Sequence, residues 1–177
     1  MSWIKKSILV AGILSSSLST LYAESPQRAM KLQYNRPAAV WMTEALPIGN
    51  GELGAMFMGG VLRERVQFNE KTLWTGSPSI RGAYQNFGEL MIYMHHDTDY
   101  KDYKRSLSLD ESVGRVEYTT VDGVSYKREY IASHPDGVIA IHFTAKQGGT
   151  PKPIQMELSL RDVRDRVKNA KSIDEKN

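Results

Sequence analysis

The residue types able to do chemistry fall in two stretches of this 177-residue chain. The first, 41–78, holds two tryptophans, Trp41 and Trp74, and among its polar residues the carboxylates Glu44, Glu52 and Glu70 and the carboxamides Asn50 and Asn69. An indole face fits the C–H side of a pyranose and buries a large apolar area while keeping one polar handle. Packing competes with that role, because Leu46, Ile48 and Leu73 beside the tryptophans read as core neighbours. Asn69 and Glu70 are also types that organise loops by bonding nearby backbone N–H groups. Spacing fixes no acid–base separation among the three glutamates, so no catalytic residue is assigned. The second stretch, His95, His96, Asp97, Asp99 and Asp102, has metal-ligand types. It lacks the glycine and terminal glutamate of a calcium loop, and no distant zinc partner is evident. It reads as a solvated loop, and neither a metal nor a cofactor is expected. The histidines likewise define no Ser-His-Asp triad, which is a matter of geometry and not of spacing.

The elements that would position these residues are strands. Val116, Tyr118 and Thr120 alternate with Arg115, Glu117 and Thr119, and Asp122-Gly123 supplies a tight hairpin turn into a returning strand over 124–131. A second turn at His134-Pro135-Asp136-Gly137 leads to Ile139, Ile141 and Phe143, alternating with Val138, Ala140 and His142. Apolar residues on nearly both faces predict a central strand there. Ile154, Met156, Leu158 and Leu160 alternate with Gln155, Glu157 and Ser159, which predicts one more strand. Further strands are expected over 53–61, 65–68 and 90–94. The glycine-rich stretch 49–54 has strand-like segments on both sides, so it reads as a tight loop and not a phosphate cradle. Two antiparallel sheets packed face to face are the economical architecture, an all-β sandwich.

Outside that core the chain changes character. Lys5 and Lys6 precede an apolar, small-residue run over 8–18, and Leu21-Tyr22-Ala23 offers a cleavage site, which predicts an export signal cut after Ala23. The run is too short to span a bilayer as a helix. The net charge of +3 falls to +1 once Lys5 and Lys6 are removed, which excludes polyanion binding as a function read from charge. The absence of cysteine excludes a disulfide framework. Residues 161–177 are densely charged, with Val163, Val167 and Ala170 at near-helical spacing, and read as a helical or disordered tail.

Two motifs stand out, 41–56 around Leu46-Pro47-Ile48-Gly49-Asn50-Gly51, and 64–78 around Gln67-Phe68-Asn69-Glu70 and Leu73-Trp74-Thr75-Gly76; in that order they resemble the first two signatures of glycoside hydrolase family 95. Residues 84–90, 99–110, Val121-Asp122-Gly123-Val124 and Arg128-Glu129-Tyr130 follow in register, so the likeness covers roughly 28–160. It implies an N-terminal β-sandwich domain followed by an (α/α)6 barrel that holds the catalytic carboxylates, and inverting hydrolysis of terminal α-L-fucosyl or α-L-galactosyl linkages. The family's segment between Pro78 and Tyr84 is shortened here to Ser79-Ile80-Arg81-Gly82-Ala83, and the sandwich is truncated relative to the family.

The sequence therefore predicts a signal peptide over 1–23, a sandwich over 24–160 and a tail over 161–177. The expected role is that of a non-catalytic fragment of a periplasmic or secreted family 95 enzyme, with a free-standing carbohydrate-binding module as the alternative. The resemblance implies a fucosylated glycan and the absent barrel as partners, without nucleic acid, and without membrane once the signal is cut. Trp41, Glu44, Asn50, Asn69, Glu70 and Trp74 are the candidates for substrate contact.

Overall fold

In the computed structural model, residues 29–162 and 167–170 are described. Two six-stranded antiparallel sheets form a sandwich. One sheet is built from β1 (Lys31–Tyr34), β8 (Tyr100–Ser108), β9 (Val113–Thr120), β10 (Val124–Ser133), β11 (Val138–Gln147) and β12 (Thr150–Pro151), in that order. The facing sheet runs β14 (Val167–Ala170), β13 (Met156–Arg161), β7 (Gly88–Met94), β4 (Arg63–Glu70), β3 (Leu53–Phe57) and β2 (Leu46–Gly49). A separate hairpin is formed by β5 (Trp74–Ser77) and β6 (Ile80–Tyr84), and one helical turn, α1 (Trp41–Glu44), precedes β2.

The period-two pattern decides which side chains face inward. On β9, Val116, Tyr118 and Thr120 are buried, as the alternation predicts. The β9–β10 hairpin turns on Gly123 at φ 83°, and the β10–β11 turn on Gly137 at φ 64°. The core joins Leu46, Ile48, Phe57 and Val66 of one sheet to Leu107, Val116, Tyr118 and Tyr130 of the other. At its centre Phe57 stacks on Tyr130, with ring centroids 4.2 Å apart and planes 10° from parallel. Phe57 also covers Gly114, where a Cβ would stand 2.5 Å from its ring.

The core contains an ion pair. Glu64 of β4 and Arg128 of β10 are almost wholly excluded from solvent, and Arg128 Nη1 donates to Glu64 Oε2 across the two sheets at 2.9 Å. Tyr130 Oη donates to the same oxygen at 3.0 Å, while the Met58 and Gly59 amides donate to Oε1 at 2.9 Å. Arg128 Nη2 also donates to Gly60 O, and Tyr103 Oη to Gly59 O. Burial pushes the Glu64 carboxyl pKa up, and the Arg128 guanidinium and the amide donors pull it down. The loop between β3 and β4 is thereby bonded to both sheets.

Two expectations need correction. The strand over 138–147 is not central: its outer neighbour is the two-residue β12, and Val138, Ala140 and His142 lie exposed on its open face. Small and apolar types on that face imitated two-sided burial without a second layer to cover them. In the stretch expected to be a helical or disordered tail, Arg161 ends β13 and Val167–Ala170 pairs with β13 as β14, with Arg161 opposite Val167. Strand pairing with an available edge overrides the weak helical spacing there. The proposed signal, 1–23, lies outside the described residues.

Candidate functional site

A cavity of about 370 Å³ opens beside β2, β3 and β4, between α1 and the end of β6. The folding of three short segments creates it. Glu44, the last residue of α1, turns back so that its carboxylate accepts from the Ala39 amide at 2.6 Å and the Val40 amide at 3.3 Å, which pins the turn carrying Trp41. The same carboxylate pairs with Arg36 at 2.6 Å, and together these partners hold its pKa at about 2. Asn50 closes the β2–β3 hairpin: its Oδ1 accepts from the Glu52 and Leu53 amides at 3.0 and 2.8 Å, with Gly51 at φ 90°. Asn50 Nδ2 then donates to Ser133 O at 2.7 Å, joining the hairpin to the opposite sheet. On β6, Tyr84 meets Trp74 edge-on at 5.3 Å, and Gln85 Nε2 donates back to Thr75 Oγ1 at 2.9 Å.

The polar lining comprises Trp41, Gln67, Asn69, Tyr84, Gln85 and Asn86. Pro47, Ile48, Ala55, Met56 and Phe68 supply the apolar part, and among the described residues no Lys, Arg, His, Asp or Glu side chain lines the cavity. Trp41 Nε1, Asn69 Oδ1 and Asn86 Oδ1 belong to lining residues but are themselves closed off from solvent, and they have no hydrogen-bond partner among the described residues. Buried polar groups are ordinarily paired, and each unpaired one costs about 1–3 kcal/mol.

Of the six candidates for substrate contact, Trp41 and Asn69 come together at this cavity. Glu44, Asn50, Glu70 and Trp74 do not line it. Glu44 and Asn50 hold the turns just described. Glu70 accepts from the Thr72 amide at 2.9 Å and from the Thr72 hydroxyl, organising the loop into β5. Trp74 is half exposed on the hairpin. Glu52, the third carboxylate, pairs with Lys71 at 2.7 Å, which lowers its pKa. In the His95–Asp102 stretch, His96 Nε2 lies 2.9 Å from Tyr118 Oη and Nδ1 2.9 Å from Asp97 O. The carbonyl requires a donor at Nδ1, so in the neutral ring Nε2 accepts from the tyrosine.

Residue-by-residue reading missed Gln67, Tyr84, Gln85 and Asn86. Gln67 carried a signal, since it is out of phase with inward Val66 and Phe68 and must face away from the core. The other three depend on how 79–87 folds back toward β3, which no local pattern encodes.

The family model described as "Glycosyl hydrolase family 65, N-terminal domain" matches residues 32–83 and 77–176. The chain is 32% identical over 162 residues to alpha-L-fucosidase 2 of Arabidopsis thaliana, with 70% of this chain and 19% of that protein covered. It is 30% identical over 140 residues to a probable alpha-fucosidase A of Aspergillus niger, with 55% and 17% covered. The chain thus spans about a fifth of the length of these curated relatives.

Proposed function

The chain belongs to the glycosyl hydrolase family 65 N-terminal domain family, and on that premise we propose that it is the non-catalytic sandwich of an exported α-L-fucosidase of family 95 type, serving a catalytic region that carries the acid and base. The observation behind this reading is the engagement of the carboxylates within the matched motifs. Glu44 is held ionised by Arg36 and two backbone amides, Glu52 is paired with Lys71, and Glu70 is bonded to Thr72, while Glu64, whose carboxyl pKa burial raises, is sealed in the core against Arg128 out of a substrate's reach. An inverting glycosidase needs one carboxyl kept protonated as acid and another about 6.5–9.5 Å away to activate water. A carboxyl with a pKa near 2 has the wrong protonation state for the acid. The matched relatives, both fucosidases by name, extend well beyond the matched part, which gives the catalytic groups a place in a longer chain or a second polypeptide.

Incubating the purified chain with a fucosylated trisaccharide should release no L-fucose above a blank. Release that disappears in Glu44→Gln or Glu70→Gln would overturn the reading. Export is tested separately by N-terminal sequencing of periplasmic material: a start near Glu24 supports it, and an intact Met1 on a cytoplasmic product contradicts it.

A further inference from the structure

We propose that the open edge of β11 is a self-association surface, which pairs with the same edge of a second copy of this chain to make one continuous sheet. β12 covers only Lys146 and Gln147 of β11, and the Lys152 amide donates to Ala145 O, so residues 138–144 have no outer neighbour strand. On an antiparallel strand the N–H and C=O of one residue point to the same side, and that side alternates along the chain. Ala145 turns its carbonyl toward β12, so Ile139, Ile141 and Phe143 turn their backbone groups the same way. Among the described residues no donor or acceptor meets them. A row of unpaired backbone groups of this kind is a template for another strand.

The composition of the edge points to a second copy as its occupant. Residues 138–144 include no Lys, Arg, Asp, Glu or Pro, the types that ordinarily blunt an edge. They extend about 24 Å, whereas the outer strands β1, β2 and β14 have 4 residues each and β2 carries Pro47. A partner must bring an equally long, uncharged open edge, and among the described strands β11 itself is the one that does. Antiparallel pairing about a two-fold axis at Ile141 sets Ile141 against its own mate and Ile139 against Phe143 of the second copy, which matches the outward N–H and C=O groups of all three. On the half-buried face it brings Ile139 beside Phe143, a β-branched residue against an aromatic one. On the outer face Ala140 meets His142 and Val138 meets Thr144, so no like charges are opposed. His142 Nδ1 lies 3.7 Å from Glu129 Oε2 of its own sheet, so a proton on that ring is answered there. The same patch serves on both copies and each copy has one such edge, so assembly closes at the dimer.

The test combines sedimentation with engineered thiols. Sedimentation of the purified chain should show a monomer–dimer equilibrium, with the dimer predominant by roughly 100 μM. Ala140→Lys sets two ammonium-bearing residues about 7–8 Å apart diagonally across the pair. It should raise the dimer dissociation constant roughly tenfold or more, with an unchanged circular dichroism spectrum showing that it folds. Because the chain has no cysteine, Ala140→Cys and His142→Cys can be made singly and then mixed without background. The mixture should oxidise to a crosslinked dimer, since 140 faces 142 across the axis. Either variant alone should crosslink several-fold more slowly, its thiols lying on the diagonal beyond easy disulfide reach. A monomer at every concentration would overturn the proposal, as would open-ended polymers, association unaffected by Ala140→Lys, or equal crosslinking of the single and mixed variants. Fucose release enters none of these readouts, so the outcome is independent of the proposed function.

Discussion

Arg128 reaches across the sandwich to Glu64, Nη1 to Oε2 at 2.9 Å, and both side chains are almost completely buried. Removing one charge from such a pair leaves the other without compensation, which costs about 3–5 kcal/mol. Glu64→Gln should lower the unfolding free energy by an amount in that range, read as a lower urea midpoint at constant m-value. Replacing Glu64 by Gln and Arg128 by Met together should cost less than the two single changes added, because no orphan charge remains. Additive losses would show that the pair is not coupled.

Gly114 lies beneath the Phe57 ring, where an added Cβ would come within 2.5 Å. Gly114→Ala should destabilise by about 1–3 kcal/mol through overpacking. Combining it with Phe57→Leu should recover part of the loss if the ring is the obstacle. Thermal melts of the three variants check this, and a neutral Gly114→Ala would mean that the ring moves aside freely.

Glu44 titrates near 2 instead of its ordinary 4.5, held down first by Arg36 and next by the Ala39 amide. A folded-state pKa below the unfolded value contributes stability that is complete above about pH 4.5 and is lost as the pH falls toward 2. Glu44→Gln should therefore flatten the acid limb of the stability profile in that window while leaving its slope above pH 6 unchanged. The flattening is partial, because Glu129, held near 2 first by Lys127 and also by Arg115, titrates in the same range. An unchanged acid limb would remove Glu44 from the account.

Asn50 makes bonds to its own hairpin and one to Ser133 O on the facing sheet. Asn50→Ala should cost about 1–3 kcal/mol through lost pairing. Asn50→Asp should do no better, since a carboxylate cannot donate to that carbonyl. Measured stabilities separate this positioning role from sugar contact, which would leave the fold intact and weaken binding alone.

The strand pattern was legible because one face of each sheet is buried, so Val116, Tyr118 and Thr120 announce their side by period alone. Arg128 was legible in principle, since it shares phase with inward Tyr126 and Tyr130, as Glu64 does with Val66. Charge type hid both of them, because a charged residue is normally assigned to the wet face. The place of 138–147 near a sheet edge could not be read, because strand order is set by non-local pairing. Asn86 and Tyr84 joined Trp41 for the same reason. Their meeting depends on how the segment after β6 returns beside β4, where the Phe87 amide donates to Phe68 O, a tertiary event with no local spacing signature.

The most direct measurement of the central claim is the rate of chromogenic α-L-fucoside hydrolysis by the purified chain from acid to neutral pH, with Glu44→Gln, Glu52→Gln and Glu70→Gln alongside. A non-catalytic sandwich gives a rate indistinguishable from the blank at every pH and in every variant. Turnover with a bell-shaped pH profile, abolished by any one of those substitutions in a folded protein, would contradict it and make this sandwich a hydrolase.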